Sequence, residues 1–356
     1  MKTITIKEAL NQENAVFVDV RSQKEYSEDH IYGAVNIPLL DDEERAIIGT
    51  LYKQEGKEEA IDRGIDFVTP KIRELYVELK NLSQKQKRII IYCSRGGMRS
   101  GSVAQLASAF GLDVQKLEGG YKSYRNHVLN YLKDIEGKCK FAVLHGNTCV
   151  GKTDILSALE EEGLNTLDLE DLAKNSGSVF GHIYHEEEAT NQKFFETQIF
   201  TKIKSLEDKE DKILFMESES KKIGRCTLSK EFWDMMQNGY HILVESSIKD
   251  RVNRSVKDYS LKSSNCDKKL IDSVYKLKDT LGHETTKLLE ERVNKKDYAF
   301  VAQYLMENYY DRLYRHSEKK YTYEFSVCSD QMEETIKTII NWHKKKLMSK
   351  EIGDQL

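Results

Sequence analysis

Two loops with the composition of anion cradles constrain this chain more than any other feature, and about fifty residues separate them. The first is Cys93-Ser94-Arg95-Gly96-Gly97-Met98-Arg99-Ser100, a thiol at the mouth of a turn rich in glycine and arginine. The second is Gly146-Asn147-Thr148-Cys149-Val150-Gly151-Lys152-Thr153, a complete G-x-x-x-x-G-K-T. Such a loop needs a strand leading in and a helix leading out, because inward amides and a helix N-terminus supply its positive end. The flanks agree. Arg88-Ile89-Ile90-Ile91-Tyr92 and Phe141-Ala142-Val143-Leu144-His145 read as buried parallel strands, and Ser100 to Phe110 reads as a helix. Two such loops in one chain require two successive α/β layers.

At 356 residues the chain has room for both. A break at Asp134-Ile135-Glu136-Gly137-Lys138 divides it into residues 1–134 and 138–356. In the first part Val16-Phe17-Val18-Asp19-Val20 is a further buried strand. In the second, Ile213-Leu214-Phe215-Met216-Glu217 and His241-Ile242-Leu243-Val244-Glu245 are strands that each end in a carboxylate. From Ser247 the chain is charged and lacks proline, which predicts a mostly helical ending with one late β-like segment, Tyr321 to Cys328.

The net charge of -4 leaves no overall footprint for non-specific nucleic-acid binding, so basic contacts have to be local. Lys344-Lys345-Lys346 and the stretch Lys249 to Lys269 are the clusters available. Six cysteines without a C-x-x-C pair argue against a zinc site or a disulfide framework and for reduced thiols. The polar N-terminus does not read as a signal peptide, and no apolar run reaches the ~20 residues of a membrane helix. A cytoplasmic protein without membrane contact is the expectation.

In the first loop, backbone amides and the following helix converge on Cys93, and Arg95 and Arg99 add positive field. That environment favours thiolate over thiol. Gly96 and Gly97 allow the positive φ that turns amides inward. A buried structural cysteine is the plain alternative, but it gives no reason for two glycines and two arginines within six residues. Upstream stand Asp19-Val20-Arg21, Glu25-Tyr26 and His30-Ile31-Tyr32-Gly33-Ala34-Val35-Asn36-Ile37-Pro38. With the strand–Cys–loop–helix unit, this set resembles the rhodanese family over residues 4 to 130. The resemblance implies a cysteine that carries a persulfide. Cys93 to Arg99 spans seven residues, one more than in typical sulfur-carrying members. The longer loop resembles that of rhodanese-like phosphatases, which fits a tetrahedral phosphate. Tyr92 rather than His precedes the cysteine.

In the second loop the amides are expected to cradle phosphate, Lys152 to reach the terminal phosphates and Thr153 to bind Mg²⁺. Cys149 is unusual there, either as a small filler or as a redox group. No Asp ends a suitable strand; Glu217, with Glu219 behind it, takes that place. Phosphate binding is therefore expected ahead of nucleotide hydrolysis. Glu217 and Glu219 remain open between metal or acid/base duty and structural pairing.

Together the two loops resemble the tRNA 2-selenouridine synthases, in which a rhodanese domain is fused to a P-loop domain. Leu117-Glu118-Gly119-Gly120-Tyr121-Lys122-Ser123-Tyr124-Arg125 carries the likeness, as do Asp168-Leu169-Glu170-Asp171-Leu172-Ala173 and Gly177-Ser178-Val179-Phe180-Gly181. It continues through Gln192-Lys193-Phe194-Phe195-Glu196, Glu217 to Arg225, and Tyr309-Tyr310-Asp311-Arg312-Leu313-Tyr314. Two positions depart from the family: Ser94 replaces its usual aromatic and Cys149 its usual glycine. The fold class implied is α/β, a rhodanese-like parallel-sheet domain followed by a P-loop NTPase-like domain with a helical C-terminal part.

The resemblance also implies an activity. Selenium from selenophosphate replaces the sulfur of a wobble 2-thiouridine in tRNA, after a geranyl group from geranyl diphosphate has made that sulfur a leaving group. The implied substrates are selenophosphate and geranyl diphosphate, with Mg²⁺ accompanying the phosphates and no prosthetic group or resident metal. The implied partners are the tRNA anticodon loop and a selenophosphate-producing enzyme, around a monomer. A rhodanese-type sulfurtransferase or cysteine phosphatase with a regulatory NTP-binding domain is the alternative; a non-catalytic binding protein is a third. Arg225, Arg251 and Arg254 are candidates for tRNA phosphates or surface salt bridges, and Tyr310 for base stacking or aromatic core. Asp19 and Arg21 are expected to hold the first domain together. Basic residues thicken after Lys249, so tRNA is expected to dock there and not on the first domain alone.

Overall fold

The structure is a computed structural model that describes residues 1–85, 88–175, 190–260, 266–313 and 320–353. Residues 177–181 and Tyr314, which carry part of the family likeness, lie outside the described residues. The chain forms two compact units. One comprises Met1–Leu132 with Glu196–Thr201, the other Lys133–Phe195 with Lys202–Leu356.

The first unit is built on a parallel five-stranded sheet in the order β1-β5-β4-β2-β3. Its strands are β1 (Lys2–Ile4), β2 (Ala15–Asp19), β3 (Val35–Asn36), β4 (Arg88–Tyr92) and β5 (Val114–Leu117). The β-branched run works as expected: Ile89, Ile90 and Ile91 are wholly buried in the middle of the sheet. The helix Met98–Ala109 starts just past the cysteine loop. It packs through Val103, Ala104 and Ala107, small residues that let it sit close to the sheet. Asp19 and Arg21 form a buried pair in which Arg21 Nη2 donates to Asp19 Oδ2 at 2.6 Å and to the Asp29 carbonyl at 2.7 Å. Asn36 Nδ2 donates to the Asp19 and Arg21 carbonyls. The D-x-R and N-I-P segments therefore brace the sheet edge beside the loop.

The second unit holds another parallel five-stranded sheet, β12-β11-β6-β8-β7. Its strands are β6 (Lys140–His145), β7 (Thr166–Leu167), β8 (Ile213–Glu217), β11 (Tyr240–Glu245) and β12 (Phe325–Cys328). A small antiparallel hairpin of β9 (Lys222–Ile223) and β10 (Cys226–Thr227) stands apart. Central β6 runs into the phosphate loop, and the helix Lys152–Glu161 returns over the sheet. There Ile155, Leu156 and Leu159 meet Ala142, Leu144 and Val244. The C-terminal helix Met332–Gly353 adds Ile336 and Ile339 to the same core. Four helices, Ile248–Ser260, Cys266–Lys276, His283–Asn294 and Tyr298–Leu305, make a separate core around Leu270, Leu289, Val301 and Leu305. Tyr310 ends a π-helical turn, Met306–Tyr310, and is buried in that core. The reading of Tyr310 as a base-stacking residue is therefore corrected: its ring has no exposed face to offer. Among the described residues no helix is long and apolar enough to cross a membrane.

Candidate functional site

Cys93 sits at the C-terminal end of β4, the central strand of the first sheet. Its Sγ lies 3.1 Å from Ser100 Oγ, in the first turn of the following helix. The floor of the loop comes from the segment Leu117 to Tyr121. Tyr121 N donates to the Cys93 carbonyl at 2.8 Å and Lys122 N to the Ser94 carbonyl at 2.9 Å. Gly96 and Gly120 have φ of 62° and 58°. A Cβ on Gly120 would stand 2.1 Å from Cys93 O and 2.4 Å from Gly96 N. The Gly119-Gly120 pair thus has a steric reason: it brings a second backbone against the cysteine loop where no side chain fits.

The arginines behave differently from the simple field expected of them. Arg99 Nη1 donates to Glu25 Oε2 at 2.5 Å, and Arg99 Nη2 to Ser94 Oγ at 2.8 Å. Ser94 Oγ in turn donates to Glu25 Oε1 at 2.8 Å. The charge of Arg99 is met by a carboxylate, so it braces the loop more than it charges it. Burial alone would raise the Glu25 carboxyl, but the hydrogen bond and charge of Arg99 and the Ser94 hydroxyl bring it down to about 2. Ser94, the departure from the family, is thereby part of the loop's bracing. Arg95 is exposed at the mouth, as are Gly97 and Met98.

The phosphate loop follows β6 as its sequence requires. Gly146 has φ 142° and no space for a Cβ, which would meet Val244 O at 2.2 Å; Gly151 has φ 87°. Cys149 also takes a left-handed φ, 62°, where glycine is the residue without cost. Lys152 Nζ turns back onto the Gly146 and Asn147 carbonyls, at 3.1 and 3.5 Å. Thr153 is exposed in the first turn of the helix, and Val150 is buried.

Carboxylates gather beside this loop. Glu217, at the end of β8, is buried; its Oε1 accepts from Glu170 N at 2.8 Å and its Oε2 has no hydrogen-bond partner among the described residues. Burial, then the neighbouring Asp168, hold its carboxyl well above the ordinary range. Glu219 is pushed up to about 8 by burial and by Glu170, against the pull of Lys152. Asp168 and Glu170 thus join Glu217 and Glu219 as residues of the site. Their signal in the sequence is the acidic turn Asp168-Leu169-Glu170 just after β7.

A second group also escaped the sequence reading. His145, directly before the loop, has Nε2 2.8 Å from His241 Nδ1, and His241 Nε2 lies 3.1 Å from the Gln237 carbonyl. A carbonyl only accepts, so His241 carries its proton on Nε2 and accepts from His145. Tyr321 packs at a tilt against both rings, with centroids 4.5 and 4.4 Å away. Burial, then His241 and Lys152, bring His145 down to about 3, so the pair stays neutral near pH 7.

Of the residues singled out for tRNA, Arg225 is exposed at the tip of the β9–β10 hairpin. Arg251 is 4% exposed; its guanidinium binds Asp311 through two bonds of 2.9 and 2.6 Å and donates through Nε to the Thr148 carbonyl at 2.9 Å. Arg254 donates to the Cys149 and Ser329 carbonyls and to Ser246 Oγ. Arg254 Nη2 also lies 3.9 Å from Asp330 Oδ1, so both arginines form ion pairs, with Asp311 and Asp330, while gripping the phosphate loop. The reading of Arg251 as a tRNA contact is corrected, because its guanidinium is buried.

A thiol loop on one parallel sheet and a phosphate loop on another define a rhodanese fused to a P-loop protein, and comparison with known families says the same. The rhodanese-like domain family matches residues 4–127, and the tRNA 2-selenouridine synthase AAA domain family matches residues 139–348. A tRNA 2-selenouridine synthase of Shewanella frigidimarina is 32% identical over 277 residues, covering 77% of this chain and 72% of that one. The corresponding protein of Bdellovibrio bacteriovorus is 34% identical over 258 residues, 72% and 67% of the two chains. The N-terminal domain of a Clostridium difficile 630 protein, described as ATP/GTP binding, is 48% identical. It covers 36% of this chain and 99% of that one, with a TM-score of 0.36. The chain belongs to the tRNA 2-selenouridine synthase family, whose members are tRNA-modifying enzymes.

Proposed function

We propose that this enzyme makes 2-selenouridine in two steps that use the two loops in turn, with selenophosphate and geranyl diphosphate as substrates. The observation that carries the reading is the presence, in one chain, of two anion loops with different chemistry. One offers a thiol and a tetrahedral cradle; the other offers amides, Lys152 and Thr153.

In the first step geranyl diphosphate sits with its phosphates on the loop Gly146 to Thr153. The sulfur of the 2-thiouridine attacks the geranyl C1, the C1–O bond breaks, and diphosphate leaves with the electron pair. Lys152 turns from the Gly146 and Asn147 carbonyls to the departing charge. Thr153 and Glu217, whose buried Oε2 has no hydrogen-bond partner among the described residues, would hold a divalent cation, which would supply charge neutralisation to the leaving group. In the second step selenophosphate, a tetrahedral anion, is held by the loop Cys93 to Ser100. The Cys93 sulfur attacks its phosphorus, the P–Se bond breaks and selenide leaves with the electron pair. Selenide adds to C2 of the base, the C2–S bond breaks and the sulfur departs as geranylthiolate. Water then hydrolyses the S–P bond, which frees phosphate and restores Cys93. Neither step needs nucleotide hydrolysis, which accords with a Glu in place of a strand-ending Asp. A separate enzyme supplies the selenophosphate.

Nucleoside mass spectrometry of tRNA treated with two variants tests the order. Cys93→Ala is expected to stop selenation and let geranylated 2-thiouridine accumulate. Lys152→Ala is expected to weaken geranyl diphosphate binding by about 1.5–3 kcal/mol and to deplete both products. Full selenation by Cys93→Ala, or unchanged geranylation by Lys152→Ala, overturns the assignment of the respective loop.

The tRNA is placed on the exposed lysines of the helical part, among them Lys249, Lys268 and Lys269, with Arg225 nearby in sequence to the site carboxylates. Lys268→Glu with Lys269→Glu should lower tRNA affinity and flatten the slope of log K against log salt by about one to two. An unchanged slope removes these residues from the interface.

A further inference from the structure

Five consecutive carbonyls of the phosphate loop each accept a hydrogen bond from a side chain. Lys152 Nζ takes the carbonyls of Gly146 and Asn147, Arg251 Nε that of Thr148, Arg254 Nη1 that of Cys149, and Ser329 Oγ that of Val150. Lys152 is free to swing towards a ligand. The other three donors are anchored elsewhere. Asp311 holds Arg251 by two bonds, Ser246 and the Ser329 carbonyl hold Arg254, and Ser329 is itself buried.

The peptide between Thr148 and Cys149 decides the φ of Cys149. Its carbonyl is the one Arg251 grips; the carbonyl that fixes ψ of Cys149 is the one Arg254 grips. An L-residue at φ 62° is strained. It can relax by flipping the 148–149 peptide, which reverses the Cys149 N–H and swings the Thr148 carbonyl through about half a turn. A flipped loop presents an acceptor where a phosphate needs a donor.

We propose that Arg251 and Arg254 are positioning residues of the anion site, which hold Cys149 in its left-handed conformation and so keep the loop amides turned to the phosphates, with Asp311 as the strut behind Arg251. The inference rests on the reading of this loop as a diphosphate site. It also gives Cys149 its account. A glycine there would need no clamp; a cysteine is tolerated because two arginines from the helix Ile248–Ser260 restrain the peptides on either side of it.

The test is a double-variant cycle on the full chain with inorganic pyrophosphate in a titration calorimeter. Arg251→Met keeps the length of the side chain and loses its donors. It should weaken pyrophosphate binding about tenfold or more, the worth of a charge-assisted donor. Cys149→Gly alone gives the reference affinity for the second arm of the cycle, because it changes the loop itself. Joined to Arg251→Met it should restore most of the lost affinity, because glycine keeps positive φ unaided. A purely electrostatic role for Arg251 predicts the same loss with Cys149 or glycine, and that outcome overturns the inference, as does unchanged binding by Arg251→Met. Should Arg251→Met not fold, Asp311→Asn carries the same cycle; it is expected to cost severalfold in affinity and to be rescued by Cys149→Gly. Pyrophosphate binding by the wild type without rescue defeats the clamp alone. No binding by the wild type defeats the reading of the loop and the clamp with it.

Discussion

Gly96 and Gly120 lie against each other with positive φ, and Gly120 against Cys93 with no space for a side chain, whereas Cys149 carries a side chain at φ 62° in the phosphate loop. The cysteine loop is shaped by absence. Two backbones close on each other because neither has a Cβ at the contact, and the residues that close it follow within thirty positions, with Tyr121 N on Cys93 O at a separation of 28 (121 − 93). The phosphate loop is shaped by attachment. The carbonyls of Thr148 and Cys149, on either side of its strained residue, are held by side chains 103 and 105 positions away. The difference separates two kinds of preorganisation, one in which backbones close where no Cβ stands and one borrowed from a distant helix.

The largest effect is expected where shape depends on absence. Gly120→Ala places a methyl 2.1 Å from Cys93 O, with backbone on both sides and nothing flexible to yield. Displacing the thiol by about an ångström should cost about a hundredfold in selenation rate, while pyrophosphate binding at the other loop stays as it was. A Gly120→Ala enzyme that selenates tRNA at the normal rate breaks the steric half of the comparison.

A smaller effect concerns charge at the phosphate loop. Glu219 is protonated below about pH 8 and ionises above it, beside Lys152. A new negative charge there opposes a diphosphate, so affinity for geranyl diphosphate should fall severalfold as pH rises from 7 to 9. Glu219→Gln should lose that decline. An equal decline in the variant assigns the titration to another group.

The smallest expected effect is on stability of the first unit. Glu25 has its carboxyl lowered to about 2 from 4.5. A carboxylate depressed in the folded state adds stability above 4.5, and that contribution drains away as pH falls towards 2. Acid unfolding followed by circular dichroism should therefore be less steep in Glu25→Gln over that window. If both proteins lose stability in parallel, the Arg99 pair is not what holds the loop in acid.

The two kinds of preorganisation also explain what the sequence could and could not reveal. Both loops, the strands that deliver them and the bracing role of Asp19 and Arg21 were legible, because strand, turn and helix signals are local. The Gly119-Gly120 pair was visible as a motif, but its contact with Cys93 needed the sheet to bring β5 beside β4. Arg99 and Glu25 are 74 positions apart, and nothing local says that one neutralises the other. Arg251 and Arg254 looked like surface cations because a charged helix with a basic stretch has that appearance until its neighbours are known. Tyr310 looked available for stacking for the same reason. Asp168 and Glu170 stand out in sequence only as an acidic turn, and the parallel pairing of β7 with β8 sets them beside Glu217.

The clamp on the phosphate loop has a consequence for the newborn chain. A ribosome adds about 5–20 residues per second, so the cysteine loop has all its parts within a few seconds of Cys93 being made. Thr148 and Cys149 wait 103 and 105 residues for their arginines, and Val150 waits 179 for Ser329. That delay is on the order of ten seconds. Through it the emerging protein carries a finished G-x-x-x-x-G-K-T in writing and an unfinished one in shape. A product cut short before Arg251 would keep the whole motif and lack the grip that gives it form.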